Sequence, residues 1–100
     1  MFKVKTFKSS IFKDHRGFYW TSWEKKKHKL NYNHDKFSIS KKNTLRGLHG
    51  DTKTWKLVSC VFGKIFFVIV NFDKKSKNYL KYKTMILKHG ENKQVLIPPL

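Results

Sequence analysis

The residues predict an all-β domain, a sandwich, barrel or jelly roll, on three observations. Apolar and polar residues alternate with a period of two in several short runs, the pattern of strands with one face on a core and one in water. Two more continuously apolar runs, 58–62 and 65–72, flank Gly63-Lys64, a short hairpin signal. Polar and glycine-containing clusters separate the runs, and no repeat or linker divides residues 1–100, which therefore read as one domain.

Taken in chain order, Phe2, Val4 and Thr6 alternate with Lys3 and Lys5 and predict the first strand. Residues 24–29 form the one segment expected to wind into a helical turn. Phe37 and Ile39, alternating with Ser38 and Ser40, predict the next strand. Runs 58–62 and 65–72 are expected to pair as the core hairpin, with Gly63 supplying a positive φ angle at the turn. Residues 73–78 contain nothing apolar and predict a loop. Leu80, Tyr82 and Thr84 alternate with Lys81 and Lys83, which predicts a strand whose wet face is lysine. His89-Gly90-Glu91-Asn92 predicts a turn ahead of the last run, 94–97.

A chain of 100 residues supports one core but buries only about two thirds of its surface, so association would help it. The aromatic content of 16%, nine residues being Phe, excludes a disordered segment. A net charge of +17 attracts any polyanion. Its lysines, however, are spread over the whole length and accompany abundant Asn, Phe and Ile, all with AT-rich codons. The charge is therefore read as a mark of base composition, and no specific nucleic-acid partner is expected. Cys60 stands alone within an apolar run, so it is expected to be a small buried hydrophobe, without an internal disulfide. The N-terminus lacks a signal-like apolar stretch and the longest apolar run, 65–70, is too short for a bilayer. A reducing cytoplasm is the expected location, with no membrane partner.

Reactive groups concentrate in Arg46-Gly47-Leu48-His49, with Lys56-Leu57-Val58 soon after. The only other arginine, Arg16, lies in Asp14-His15-Arg16-Gly17, again directly before a glycine. In a chain so dominated by lysine, arginine at these two places indicates a need for the planar guanidinium fork, which grips phosphate or carboxylate with two parallel hydrogen bonds. A surface ion pair, Arg16 with Asp14 or Arg46 with Asp51, is the other reading of each. His49 is a candidate base, since imidazole titrates near neutrality; a hydrogen-bonded core histidine is the alternative. Lys56, between Trp55 and Leu57, is either a solvated side chain or a cation held at a site.

In order along the chain, Asp14-x-Arg16-Gly17-Phe18-Tyr19, Ser38-x-Ser40, Leu45-Arg46-Gly47-Leu48-His49, Lys56-Leu57-Val58, Gly63 and Ile97-Pro98-Pro99 resemble the landmarks of the dTDP-4-dehydrorhamnose 3,5-epimerases, cupin-fold sugar-nucleotide enzymes. The resemblance runs from about Phe12 to Leu100 and narrows the fold to a cupin-type jelly roll. It implies epimerisation at carbon 3 or 5, or both, of a nucleoside-diphosphate 4-keto-6-deoxyhexose, in deoxysugar and surface-polysaccharide biosynthesis. His49 would remove the proton beside the ketone. Lys56 would hold the negative charge that develops on the carbonyl oxygen, and Arg16 and Arg46 would hold the diphosphate. Ser38 and Lys36 would contribute further substrate contacts. No cofactor is expected, and the family's homodimers, which exchange an N-terminal strand, imply a homodimer here.

The chain departs from the family in several places. Thr21 stands where an acidic residue usually contacts the nucleobase, His34-Asp35-Lys36 replaces Gln-x-Asn, and Gly50-Asp51 follows the motif histidine in place of an aromatic residue and Gln. A different deoxysugar nucleotide is the expected consequence. In the family, Ile-Pro-Pro is followed by further strands and a tyrosine acting as general acid, whereas this sequence stops at Leu100. The jelly roll is therefore expected to be incomplete at the C-terminus, and no match assigns Tyr19, Tyr79 or Tyr82 the missing role. The metal site of other cupins needs His-x-His with a nearby Glu and a later His. None is present, so a metal-free site is expected. Two further hypotheses remain: an inactive remnant of such an enzyme, and a basic nucleic-acid module using Tyr19, Trp20 and Trp23 with the lysines.

Overall fold

β-Branched and aromatic side chains dominate the runs that become strands, and charged turns end them, in a computed structural model that describes residues 4–29, 31–33 and 35–99. The described elements are β1 (Lys5–Lys8), β2 (Phe12–Asp14), β3 (Gly17–Tyr19), α1 (Lys25–His28), β4 (Lys56–Ser59), β5 (Lys64–Val70), β6 (Tyr82–Lys88) and β7 (Lys93–Ile97). Phe2 and Lys3 of the predicted first strand, and His34, lie outside the described residues. The helical turn, the loop at 73–78 and the final turn and strand form where expected.

β7 is the centre of a three-stranded antiparallel sheet, with β1 on one edge and β4 on the other, while β5 and β6 pair over seven residues and β2 and β3 form a separate hairpin. Val95 lies opposite Thr6 on one side and Val58 on the other. That face meets the β5–β6 pair, so Ile69, Leu87 and Val95 form a buried cluster with Val4, Val58, Phe67, Met85 and Ile97 packed around it. Burying each large apolar side chain contributes about 1.5–3 kcal/mol.

The predicted core hairpin between 58–62 and 65–72 does not form. β4 pairs with β7 and β5 with β6, and Gly63, at φ 82°, carries the chain from one sheet to the other. In a hairpin, Val58 and Ile69 would lie in one layer with nothing to cover them; on opposite sheets both face one core, Val58 packing against the cluster that contains Ile69. The corner is tied down by the His89 amide, which donates to the Gly63 carbonyl at 3.0 Å, and by the stacking of Phe62 on His89. Cys60, at the start of this corner, is half-buried against the core.

Two further expectations are corrected. Residues 37–40 form no strand: Phe37 is 86% and Ile39 93% exposed, because no described strand lies alongside to take up their backbone hydrogen bonds. The strand predicted from Leu80 begins instead at Tyr82 and runs on to Lys88 as β6, with its faces reversed. Met85 and Leu87 point inward, whereas Tyr82 and Ile86 are exposed and lie opposite Val70 and Phe66. Met85-Ile86-Leu87 is apolar on both faces, so alternation identifies which residues share a side but not which side is covered.

The other face of the three-stranded sheet is closed by α1 and the chain before it. A four-residue helix is too short to be stable alone. It is held through His28, which is buried between the Phe7 ring, 4.6 Å away, and the Gln94 side chain.

Candidate functional site

Asn43, at φ 65°, makes the turn that folds the Ser38–Ser40 segment back on the Arg46 segment, closed by the Thr44 amide donating to the Lys41 carbonyl. The reversal brings one predicted site residue, Arg46, against Ser40 of the Ser38-x-Ser40 motif, not against the predicted Ser38. Arg46 donates from Nε to Ser40 Oγ at 2.8 Å and from Nη2 to the Ile39 carbonyl at 3.4 Å. The alternative pairing of Arg46 with Asp51 is not made. A guanidinium fixed on one edge keeps its other N–H groups for a ligand.

Asp51 instead organises the approach to β4. Its Oδ1 accepts from the amides of Lys53 at 2.9 Å and Thr54 at 2.6 Å, the turn that leads from His49 to Lys56. Those two amides hold its carboxyl below the usual 3.8, with the Lys56 charge adding to the effect. Lys56 opens β4 and is exposed, as are His49, Ser38 and Lys36, which lie in the irregular stretch between residues 35 and 55. Among the described residues, no hydrogen bond or ion pair joins His49 or Lys56 to either arginine.

Arg16 lies apart, on the β2–β3 hairpin, whose two-residue turn, His15-Arg16, ends at Gly17 with φ 139°, an angle that side chains disfavour. Its ion pair with Asp14 is made: Arg16 donates to Asp14 Oδ2 from Nη2 at 2.7 Å and from Nε at 3.2 Å, and its amide donates to Oδ1 at 2.8 Å. These contacts, the side-chain bond first, hold the Asp14 carboxyl below 3.8. The hairpin borders an open cleft of about 440 Å³ with Phe12, Phe18 and Tyr19 exposed beside Arg16, and Phe12 meets Tyr19 edge-on at 5.3 Å. Aromatic faces beside a guanidinium suit a planar base attached to a phosphate.

This hairpin was not foreseen from the sequence, although Phe12 and Phe18-Tyr19 flanking Asp14-His15-Arg16-Gly17 carry its signal. Also unforeseen was the buried knot of Gln94, His28 and Ser59, which only the fold assembles. No group of three or more His, Cys, Asp or Glu positioned to hold a metal ion occurs among the described residues.

Both depressed carboxyls give a pH prediction. A group whose folded-state pKa is lowered adds stability above its unfolded-state value, and loses it as pH falls through the folded one. The Asp14–Arg16 and Asp51 turns are therefore expected to hold at neutral pH and to loosen only below about pH 4. NMR titration of the carboxyl carbons checks this; a midpoint at or above 3.8 for Asp14 would show that the Arg16 pairing is not maintained.

Known proteins offer a comparison for the chain and its fold. The family model described as dTDP-4-dehydrorhamnose 3,5-epimerase matches residues 2–100. The chain is 34% identical over 97 residues to the dTDP-4-dehydrorhamnose 3,5-epimerase of Salmonella typhimurium, covering 88% of this chain and 53% of that protein. It is 35% identical over 97 residues to that of Escherichia coli, covering 88% and 52%. Among solved structures, a dTDP-6-deoxy-D-glucose-3,5-epimerase from Legionella pneumophila in complex with dTDP-4-keto-L-rhamnose superimposes with TM-score 0.90 at 31% identity, over 96% of this chain and 55% of that one. A Bacillus anthracis dTDP-4-dehydrorhamnose 3,5-epimerase with TDP and pyrophosphate bound gives TM-score 0.81 at 28% identity, over 97% and 61%. The chain thus spans about half the length of the curated relatives it matches, and its strands are arranged as in the cupin jelly roll.

Proposed function

Since this chain belongs to the dTDP-4-dehydrorhamnose 3,5-epimerase family, we propose that it is an isomerase that inverts carbon 3 or 5, or both, of a dTDP-4-keto-6-deoxyhexose in deoxysugar biosynthesis. The observation that carries this reading is the Arg46 clamp. Ser40 and Ile39 fix the guanidinium three residues before His49, so a diphosphate gripped by Arg46 brings its sugar to the segment that carries the base.

His49 removes the proton from the carbon beside the ketone; the C–H electron pair becomes the new carbon–carbon double bond while the carbonyl π pair moves onto the oxygen. The Lys56 ammonium stabilises that enolate more than the neutral ketone, so it lowers the barrier. Return of a proton from solvent to the opposite face of the same carbon completes inversion, and His49 gives the proton it took back to solvent. No electron leaves the substrate, so the step needs no redox cofactor. Arg16 and the aromatic hairpin receive the nucleotide end.

The test is incubation with a dTDP-4-keto-6-deoxyhexose in heavy water, following deuterium entry at carbons 3 and 5 by NMR. Exchange is expected. A folded chain that exchanges neither position overturns the reading and leaves an inactive remnant of the family. Ser40→Ala releases one edge of Arg46 and is expected to weaken dTDP binding by about 1 kcal/mol, roughly fivefold, measured by calorimetry.

Cytoplasmic location and a homodimer complete the proposal. The location is supported by the lone Cys60, and the homodimer by the apolar outer face of β5–β6, where Phe66 and Ile86 are exposed.

A further inference from the structure

Gln94, the second residue of the central strand β7, is 1% exposed, and its amide nitrogen and oxygen both have partners. Its Nε2 donates to the Ser22 carbonyl and, at 3.1 Å, to Ser59 Oγ. A carbonyl only accepts, so the amide nitrogen faces Ser22 and Oε1 faces His28 Nε2, 3.1 Å away. That ring nitrogen therefore carries the hydrogen, and His28 Nδ1 accepts from the Glu24 amide at 3.1 Å. One amide orientation satisfies every partner of Gln94.

The knot joins segments that carry different parts of the proposed site. Ser22 is three residues beyond β3, on the connection leaving the Arg16 hairpin, and Ser59 is three residues beyond Lys56 on β4. The same connection is tied to β1 by Ser9 Oγ donating to the Thr21 carbonyl at 2.9 Å. Lys27 adds a bond to the Lys8 carbonyl at 2.8 Å.

We propose that Gln94 is a positioning residue that sets the Arg16 hairpin against β4, and so fixes the distance between the nucleotide-binding end of the site and Lys56. The role rests on the epimerase reading above. A nucleoside diphosphate sugar spans both ends, so a hairpin free to swing would bind it less tightly without any contact to the ligand being removed.

Gln94→Met keeps the side-chain volume and removes every polar arm. It is expected to speed amide hydrogen exchange in residues 17–28, to leave β5–β6 unchanged, and to weaken dTDP binding about tenfold by calorimetry. In an Arg16→Ala background the same substitution is expected to have little further effect on binding, because Gln94 acts through the hairpin. Ser59→Ala, which removes one arm, is a second variant should Gln94→Met fail to fold, with an expected loss of about threefold and the same exchange pattern.

Faster exchange throughout the chain, or an undiminished tenfold loss in the Arg16→Ala background, would overturn the positioning role. Unchanged dTDP binding in variants that fold would do so as well. A wild-type chain that does not bind dTDP at all overturns the epimerase reading itself and this inference with it, and that result is separate from a loss seen only in the variants.

Discussion

In the deuterium-exchange assay, His49→Ala is expected to lower proton removal by roughly 10²–10⁴-fold, the usual contribution of a positioned general base. The structure makes this a clean experiment. His49 is exposed in an irregular stretch and makes no hydrogen bond among the described residues, so its removal is expected to change folding stability by no more than about 0.5 kcal/mol. Lost exchange in a variant with an unchanged unfolding curve then reports chemistry and not collapse. Lys56→Met gives the companion result, a loss of roughly 10²–10³ that falls mainly on kcat, since the ammonium interacts more strongly with the enolate than with the ketone. Full exchange activity in His49→Ala would remove the histidine from the mechanism.

Leu87→Ala is expected to cost about 2–5 kcal/mol, read from the urea midpoint at constant slope. Leu87 is fully buried in the cluster with Ile69 and Val95, where the two sheets meet. Domains of this size typically hold about 5–15 kcal/mol in total, so one truncated leucine removes a large fraction of what holds the sheets together. Ile86→Ala, one residue away on the exposed face, is the control and is expected to cost much less. Comparable losses at both positions would mean that the β5–β6 pair is covered on both sides.

The strand runs of β5, β6 and β7 were legible in the residues because apolar side chains and turn signals there agree. Pairing was not. Gly63-Lys64 has the composition of a hairpin turn, but the longer β5–β6 ladder and the shared core of Val58 and Ile69 outweigh that local signal, and sequence spacing does not register such long-range terms. Phe37 and Ile39 alternate as a strand does but have no neighbour, and a strand is defined by its neighbour. In the site, Arg16, Arg46, His49 and Lys56 stood out because arginine is rare here and the motif order is distinctive. The partners differ in legibility: Asp14 is close in sequence to Arg16 and was anticipated, whereas Ser40 depends on the Asn43 turn. Gln94 depends on a contact across 66 residues to His28 and left no local trace.

The exposed Phe66, Val68 and Ile86 have a consequence for handling the protein when combined with its charge of +17. In dilute buffer, mutual repulsion keeps molecules apart despite these greasy patches. Added electrolyte shortens the reach of that repulsion to about 10 Å at 0.1 M, and sulfate also strengthens apolar attraction. Solubility should therefore fall as salt rises, with ammonium sulfate precipitating the protein at unusually low concentration, and a low-salt buffer is the better choice for storage.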